Sequence, residues 1–208
     1  MVCMNTTSEF TDSLHRIVEE IQNDPENRNY TERNIPPVFQ ISEHARILII
    51  GQAPGRKVEQ SLIPFNDKSG ERLMEWLGID KNTFYSDQIA ILPMDFYYPG
   101  KGKTGDLPPR KFIAEAYHSE ILDLMPEIRM TVLIGKYSMD YYLKDRKKRN
   151  LTETVRAYKE YLPEYFPIVH PSPLNYRWLG NNPWFENEVV PDLQRHVSEI
   201  LNGENHEP

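Results

Sequence analysis

Four short apolar runs, each closed by a turn residue, limit what this chain can fold into more than any other feature. They lie at 47–50, 88–94, 130–134 and 165–169. Their side chains are apolar at successive positions rather than at alternate ones, which is the pattern of a strand buried on both faces. Pro93 falls near the end of the second run, where a residue without an N–H does least damage to a ladder. Between the runs the spacing changes to that of helices. Phe10, Leu14, Ile17, Val18 and Ile21 fall on one stripe of 8–21; Leu73, Trp76 and Leu77 do so in 69–77, with Gly78 as a stop; Val189, Leu193, Val197 and Leu201 recur by fours in 184–201. Stretches 111–124, 137–143 and 151–161 also read as helical. Stretches 24–37, 56–66 and 95–110 have no period and read as loops, and 145–149 as a charged turn. Alternating strands and helices predict a three-layer α/β/α sandwich around a central parallel sheet of about four strands.

At 208 residues the chain has the length of one ordinary domain with room for a core. We expect a single domain over 1–208, with its chemistry in a core at about 46–178 and helical flanks at 1–45 and 179–208. No apolar run reaches the length of a membrane span, and the first residues lack the basic start and apolar stretch of a secretory signal, so a cytoplasmic monomer away from membranes is expected. The single cysteine, Cys3, leaves no internal disulfide and no thiolate set for zinc or an iron–sulfur cluster. Net charge is −7, but it is unevenly spread: 46–177 holds 20 basic and 17 acidic side chains, while 1–45 holds 3 and 8, and 178–208 holds 1 and 6. The middle of the chain is therefore the part suited to a polyanion.

Two motifs close the first and last strands. Gly51-Gln52-Ala53-Pro54-Gly55 follows the run at 47–50, and His170-Pro171-Ser172-Pro173-Leu174 follows the run at 165–169. Loops at the carboxyl ends of neighbouring parallel strands converge on one crevice, so both can serve a single site. The first lacks the Gly-Lys-Ser/Thr ending of a phosphate loop and the spacing of a dinucleotide fingerprint. Shortly after it comes Ile63-Pro64-Phe65-Asn66, followed by Ser69-Gly70.

On these residues the chain resembles the uracil-DNA glycosylase superfamily, over about 46–178. The resemblance implies a hydrolase without metal or other cofactor that acts on DNA and cleaves the N-glycosidic bond of uracil or a related deaminated base. It implies Gln52 and His170 as catalytic residues, His170 donating to the base oxygen on which charge develops. It places Gly51, Ala53, Pro54, Phe65 and Asn66 in the base pocket, with Phe65 stacking on an extruded base. Ser172, Pro173 and Leu174 would press on the DNA backbone and wedge into the base stack.

Residues 95–110 read either as ordinary solvated surface or as a second DNA contact, with Tyr97 and Tyr98 as stacking platforms and Lys101, Lys103, Arg110 and Lys111 on phosphates. Two departures bear on activity. Gln52 and Ala53 stand where members of the family place a carboxylate that handles the attacking water, and glutamine can orient a water without taking its proton. No asparagine stands in the second run to read the base edge; Asn66, Asp67 and Asp95 are the polar candidates nearby. A non-catalytic DNA- or nucleobase-binding module on the same fold is the alternative, and a small-molecule hydrolase or nucleotide-binding protein a further one.

Overall fold

The structure, a computed structural model, describes residues 5–103 and 105–203. Cys3 lies outside the described residues. The chain opens with helix α1 (Asn5–Asn23), whose Ile17 and Ile21 are fully buried. Strand β1 (Ile47–Ile50) follows, then helices α2 (Arg56–Ser61) and α3 (Lys68–Leu77) and strand β2 (Ile89–Ile91). A small antiparallel hairpin, β3 (Lys101–Gly102) and β4 (Gly105–Asp106), precedes a helix over 111–123 that widens to a π-turn at Ala114–His118. Strand β5 (Met130–Ile134) and strand β6 (Tyr165–Ile168) complete the sheet, and the helix at Val190–Asn202 closes the described chain.

The four long strands run parallel in the order β2-β1-β5-β6, with Ile47 beside both Ile89 and Met130, and Thr131 beside Tyr165. Every residue of β1, β2 and β5 is buried, as apolar side chains on both faces require. Pro167 is tolerated inside β6 because β6 is an edge strand. The opposite edge is covered: Gln40 bridges Ile91 and its side-chain Nε2 donates to the carbonyl of Ile89 at 2.8 Å. The chain steps outward from β1 to β2 and then returns to the other side of β1 through β5. The strand order therefore reverses between β1 and β5, the place where such sheets open a crevice at their carboxyl ends.

The structure corrects several expectations. Residues 56–61 form a helix rather than a loop; only Val58 on it is buried, so too few apolar side chains mark a period. The stretch at 24–37 contains two helical turns, Pro25–Asn27 and Arg28–Thr31, started by Asp24, which accepts the Glu26 N–H at 2.9 Å. Helix Tyr176–Asn181 was not foreseen, because it buries only Leu179. The closing helix begins with a π-turn at Phe185–Val189.

Candidate active site

The loops that follow β1, β2 and β6 enclose a cavity of about 400 Å³. Gly51 to Gly55 form one side, and His170, Ser172 and Leu174 another. The loop leaving β2 is stitched to the first, since Met94 N–H donates to Gly51 O at 3.0 Å and Asp95 N–H to Gln52 O at 3.1 Å. The backbone of Gln52 is thereby fixed, while its side chain meets no hydrogen-bond partner among the described residues. Gly135 follows β5 with φ +76°, a left-handed conformation that favours glycine, and lies against the Cβ of His170.

Phe65 forms the wall between these two sides. It has φ +55°, which is strained for a residue with a bulky side chain, and its surroundings hold it there. Tyr85 donates from its hydroxyl to Pro64 O at 2.8 Å, and Asp67 N–H donates to Phe65 O at 2.8 Å. The turn is pressed so closely onto the start of α3 that a Cβ on Gly70 would sit 1.8 Å from the Phe65 carbonyl oxygen. The ring in turn lies over Gly51, where a Cβ would come within 3.2 Å of it, and packs edge-on against Phe84. Gly70 is therefore required by close approach, while a Cβ at Gly51 would make the Phe65 ring give by a few tenths of an ångström. Asp67 caps α3, its Oδ1 accepting from Ser69 N–H at 2.8 Å and Gly70 N–H at 3.0 Å, and it also lines the cavity.

His170 faces these residues from the loop after β6. Its Nδ1 accepts the Ser172 N–H at 3.1 Å, so the proton of the neutral ring belongs on Nε2, which has no hydrogen-bond partner among the described residues. Withdrawal from water lowers the pKa of His170, and the negative charge of Asp67 works against that shift. The loop behind it is tied down, with Asn175 Nδ2 donating to His170 O at 2.7 Å and Arg72 donating to Ser172 O at 3.3 Å. Ser172 Oγ accepts the Leu174 N–H at 3.2 Å, leaving its own hydroxyl proton available. Leu174 projects from this loop with 82% of its surface exposed.

Residues 38–194 match the sequence model of the uracil DNA glycosylase superfamily. The chain belongs to that superfamily. A solved structure similar to it is the solution NMR structure of a candidate uracil DNA glycosylase from Methanosarcina acetivorans, with 17% identity, 75% of this chain and 93% of that chain covered, and a TM-score of 0.45.

In this superfamily member the cavity gathers Gly51, Gln52, Ala53, Pro54, Phe65, His170, Ser172 and Leu174, but not every expected residue. Asn66 is exposed and does not line it, because the left-handed turn at Phe65 gives the inward place to Asp67. Pro173 is exposed on the outer side of its loop. Lys101 and Lys103 stand exposed on the hairpin outside the cavity, whereas Asp106 and Leu107 from the same hairpin line it. Tyr97 is no platform: it is buried, stacks on Tyr30 at 4.4 Å, and its hydroxyl lacks a partner among the described residues. Arg110 is not free for phosphate either. Its Nε and Nη2 each reach a different oxygen of the fully buried Asp95 at 2.8 Å, and its Nη1 donates to Asn27 Oδ1 at 2.9 Å. Those same bonds remove Asp95 as a reader of the base. Sequence inspection gave no site role to Asp106 and Leu107; Ser69, quoted there with Gly70, lines the cavity just after the aspartate that caps α3.

Among the described residues, no group of three or more His, Cys, Asp or Glu side chains is placed to hold a metal ion, and no helix is long and apolar enough to cross a membrane.

Proposed function

We propose that this protein is a DNA glycosylase-like hydrolase that removes uracil or a related deaminated base from DNA, acting as a single-domain monomer in the cytoplasm. The observation that carries the reading is the Ser172 N–H on His170 Nδ1, which puts the proton of a neutral imidazole on Nε2 of a residue lining the same cavity as the Phe65 ring. A base extruded from DNA would stack on Phe65 and offer a carbonyl oxygen to that donor. As the N-glycosidic bond breaks, its electron pair leaves with the base and negative charge builds on this oxygen. A fixed donor in a partly dry cavity stabilises that charge more than it stabilises the ground state. The sugar cation left behind is strongly electrophilic, so a water held by Gln52 needs orientation more than deprotonation to attack it, and its proton passes to the departing base or to solvent.

Ser172, Pro173 and Leu174 would make the DNA contact, the serine hydroxyl on a phosphate and the leucine in the gap left in the stack. Lys101 and Lys103 would add phosphate contacts from the hairpin. The test is incubation with oligonucleotides carrying uracil, hypoxanthine, xanthine or a mismatch, followed by alkali to break the strand at abasic sites. Cleavage at one or more of the deaminated bases is expected. No cleavage with any of them would overturn the enzyme reading. It would favour a binding module, which the absence of a carboxylate from the Gly51–Gly55 loop also favours.

A further inference from the structure

Besides the Gln52 side chain, two polar atoms on opposite sides of the cavity lack a hydrogen-bond partner among the described residues, and they are of opposite kind. One is the Nε2–H of His170, a donor. The other belongs to Asp67, whose Oδ1 takes both cap bonds and whose Oδ2 takes none. Both residues line the cavity, and the negative charge of the carboxylate works against the effect of burial on the imidazole. The turn that places Asp67 is held by the strain at Phe65, by the Tyr85 hydroxyl on Pro64 O and by the missing Cβ of Gly70. A strained backbone held by these two contacts, in a turn that also lines the cavity, points to a functional position.

We propose that Asp67 is the residue that selects the base: its open oxygen accepts the ring N–H next to the carbonyl held by His170. This rests on the base-pocket reading above. A neighbouring donor and acceptor complement the O=C–N–H edge of a lactam. Uracil, hypoxanthine and xanthine carry that edge. Cytosine has its carbonyl beside a ring nitrogen with a lone pair, and adenine has such a nitrogen beside an amino group, so a carboxylate repels both at that position. Asp67 therefore acts by rejection as well as by attraction. An ionised carboxylate only accepts, in contrast to the amide of an asparagine, which also donates.

The helix cap makes the test clean. Asn and Ser cap helices about as well as Asp, so Asp67→Asn and Asp67→Ser keep α3 while replacing the open oxygen with an amide N–H donor or removing it. Binding of free uracil and free cytosine to the full chain is measured by equilibrium titration for wild type and both variants, with thermal melts as a control on folding. Wild type is expected to favour uracil by about 10- to 100-fold, the range of one hydrogen bond to a charged group. Asp67→Ser should shrink that gap and Asp67→Asn should reverse it toward cytosine. An unchanged gap in both folded variants overturns the proposal, as does a wild type that binds neither base or binds both equally. Excision from a uracil-containing oligonucleotide is followed in parallel. A reversed gap without excision would overturn the glycosylase reading and leave Asp67 as the selector; excision without a gap would do the opposite.

Discussion

The molecule contains two sites built from the same residue types, and they differ in what is left over. Behind β2, Asp95 has both oxygens taken by Arg110, by the backbone N–H of Arg110 at 3.0 Å and by that of Tyr97 at 3.1 Å. Beside it, His118 has both ring nitrogens engaged: Nε2 donates to Pro93 O at 3.1 Å and Nδ1 accepts from the Tyr142 hydroxyl at 2.6 Å. At the cavity, Asp67 and His170 each have one polar atom bonded and one open. Complete pairing of a buried charge makes a scaffold, because every alternative arrangement leaves something unsatisfied. Half pairing against a cavity makes a site, because the second bond waits for a ligand. The first arrangement supports the second: Pro93, held by His118, lines the cavity, and Asp95 anchors the loop whose hairpin closes one side of it.

The sharpest way to break this contrast is Arg110→Ala. It leaves the fully buried Asp95 without its counter-ion and is expected to destabilise the fold by about 3–5 kcal/mol, read from chemical denaturation. A loss near that of an exposed ion pair would show that the two aspartates are not of different kinds.

The second prediction lies at the cavity. His170→Ala is expected to lower single-turnover excision on the order of a hundredfold or more while changing stability little, because it removes a donor to developing charge. Gln52→Ala should cost less, since it only orients water, and Gln52→Glu should recover or exceed the wild-type rate. Equal losses for His170→Ala and Gln52→Ala would remove the division of labour between them.

Third, pH acts on both histidines in the same sense. Burial holds His118 down at about 4 against an ordinary value of 6.5. Between these values the unfolded chain binds a proton that the folded protein does not. Stability is therefore complete above pH 6.5 and falls as the pH drops toward 4, by on the order of 3 kcal/mol. His170, also lowered, adds to the fall in the same sense. Denaturation midpoints measured across this window should show a shallower slope in His118→Gln than in wild type; an unaltered slope would show that the paired imidazole does not govern it.

The smallest effect concerns the hairpin. Lys101→Ala and Lys103→Ala are each expected to weaken DNA binding modestly and to reduce the slope of log affinity against log salt by about one. Binding that does not depend on salt in wild type would mean that phosphates are not what these lysines meet.

The sequence by itself determined the sheet and its helical cover. Strands buried on both faces cannot hide their apolar character, and the runs at 47–50 and 130–134 appear in the structure with the same bounds. It also determined that proline-bearing loops follow β1 and β6, because proline fixes its own φ and cannot donate to a ladder whatever surrounds it. The helix at Arg56–Ser61 stayed hidden for the opposite reason, since one buried side chain makes no period. Only the tertiary structure decided the fate of the polar and aromatic residues. Asp67 and Asp95 are the same side chain, as are His118 and His170, and nothing local distinguishes a carboxylate that will meet an arginine fifteen residues away from one that will keep an oxygen open. That outcome depends on how many partners the folded chain brings within hydrogen-bond reach, a property of long-range packing rather than of the residue or its neighbours in sequence.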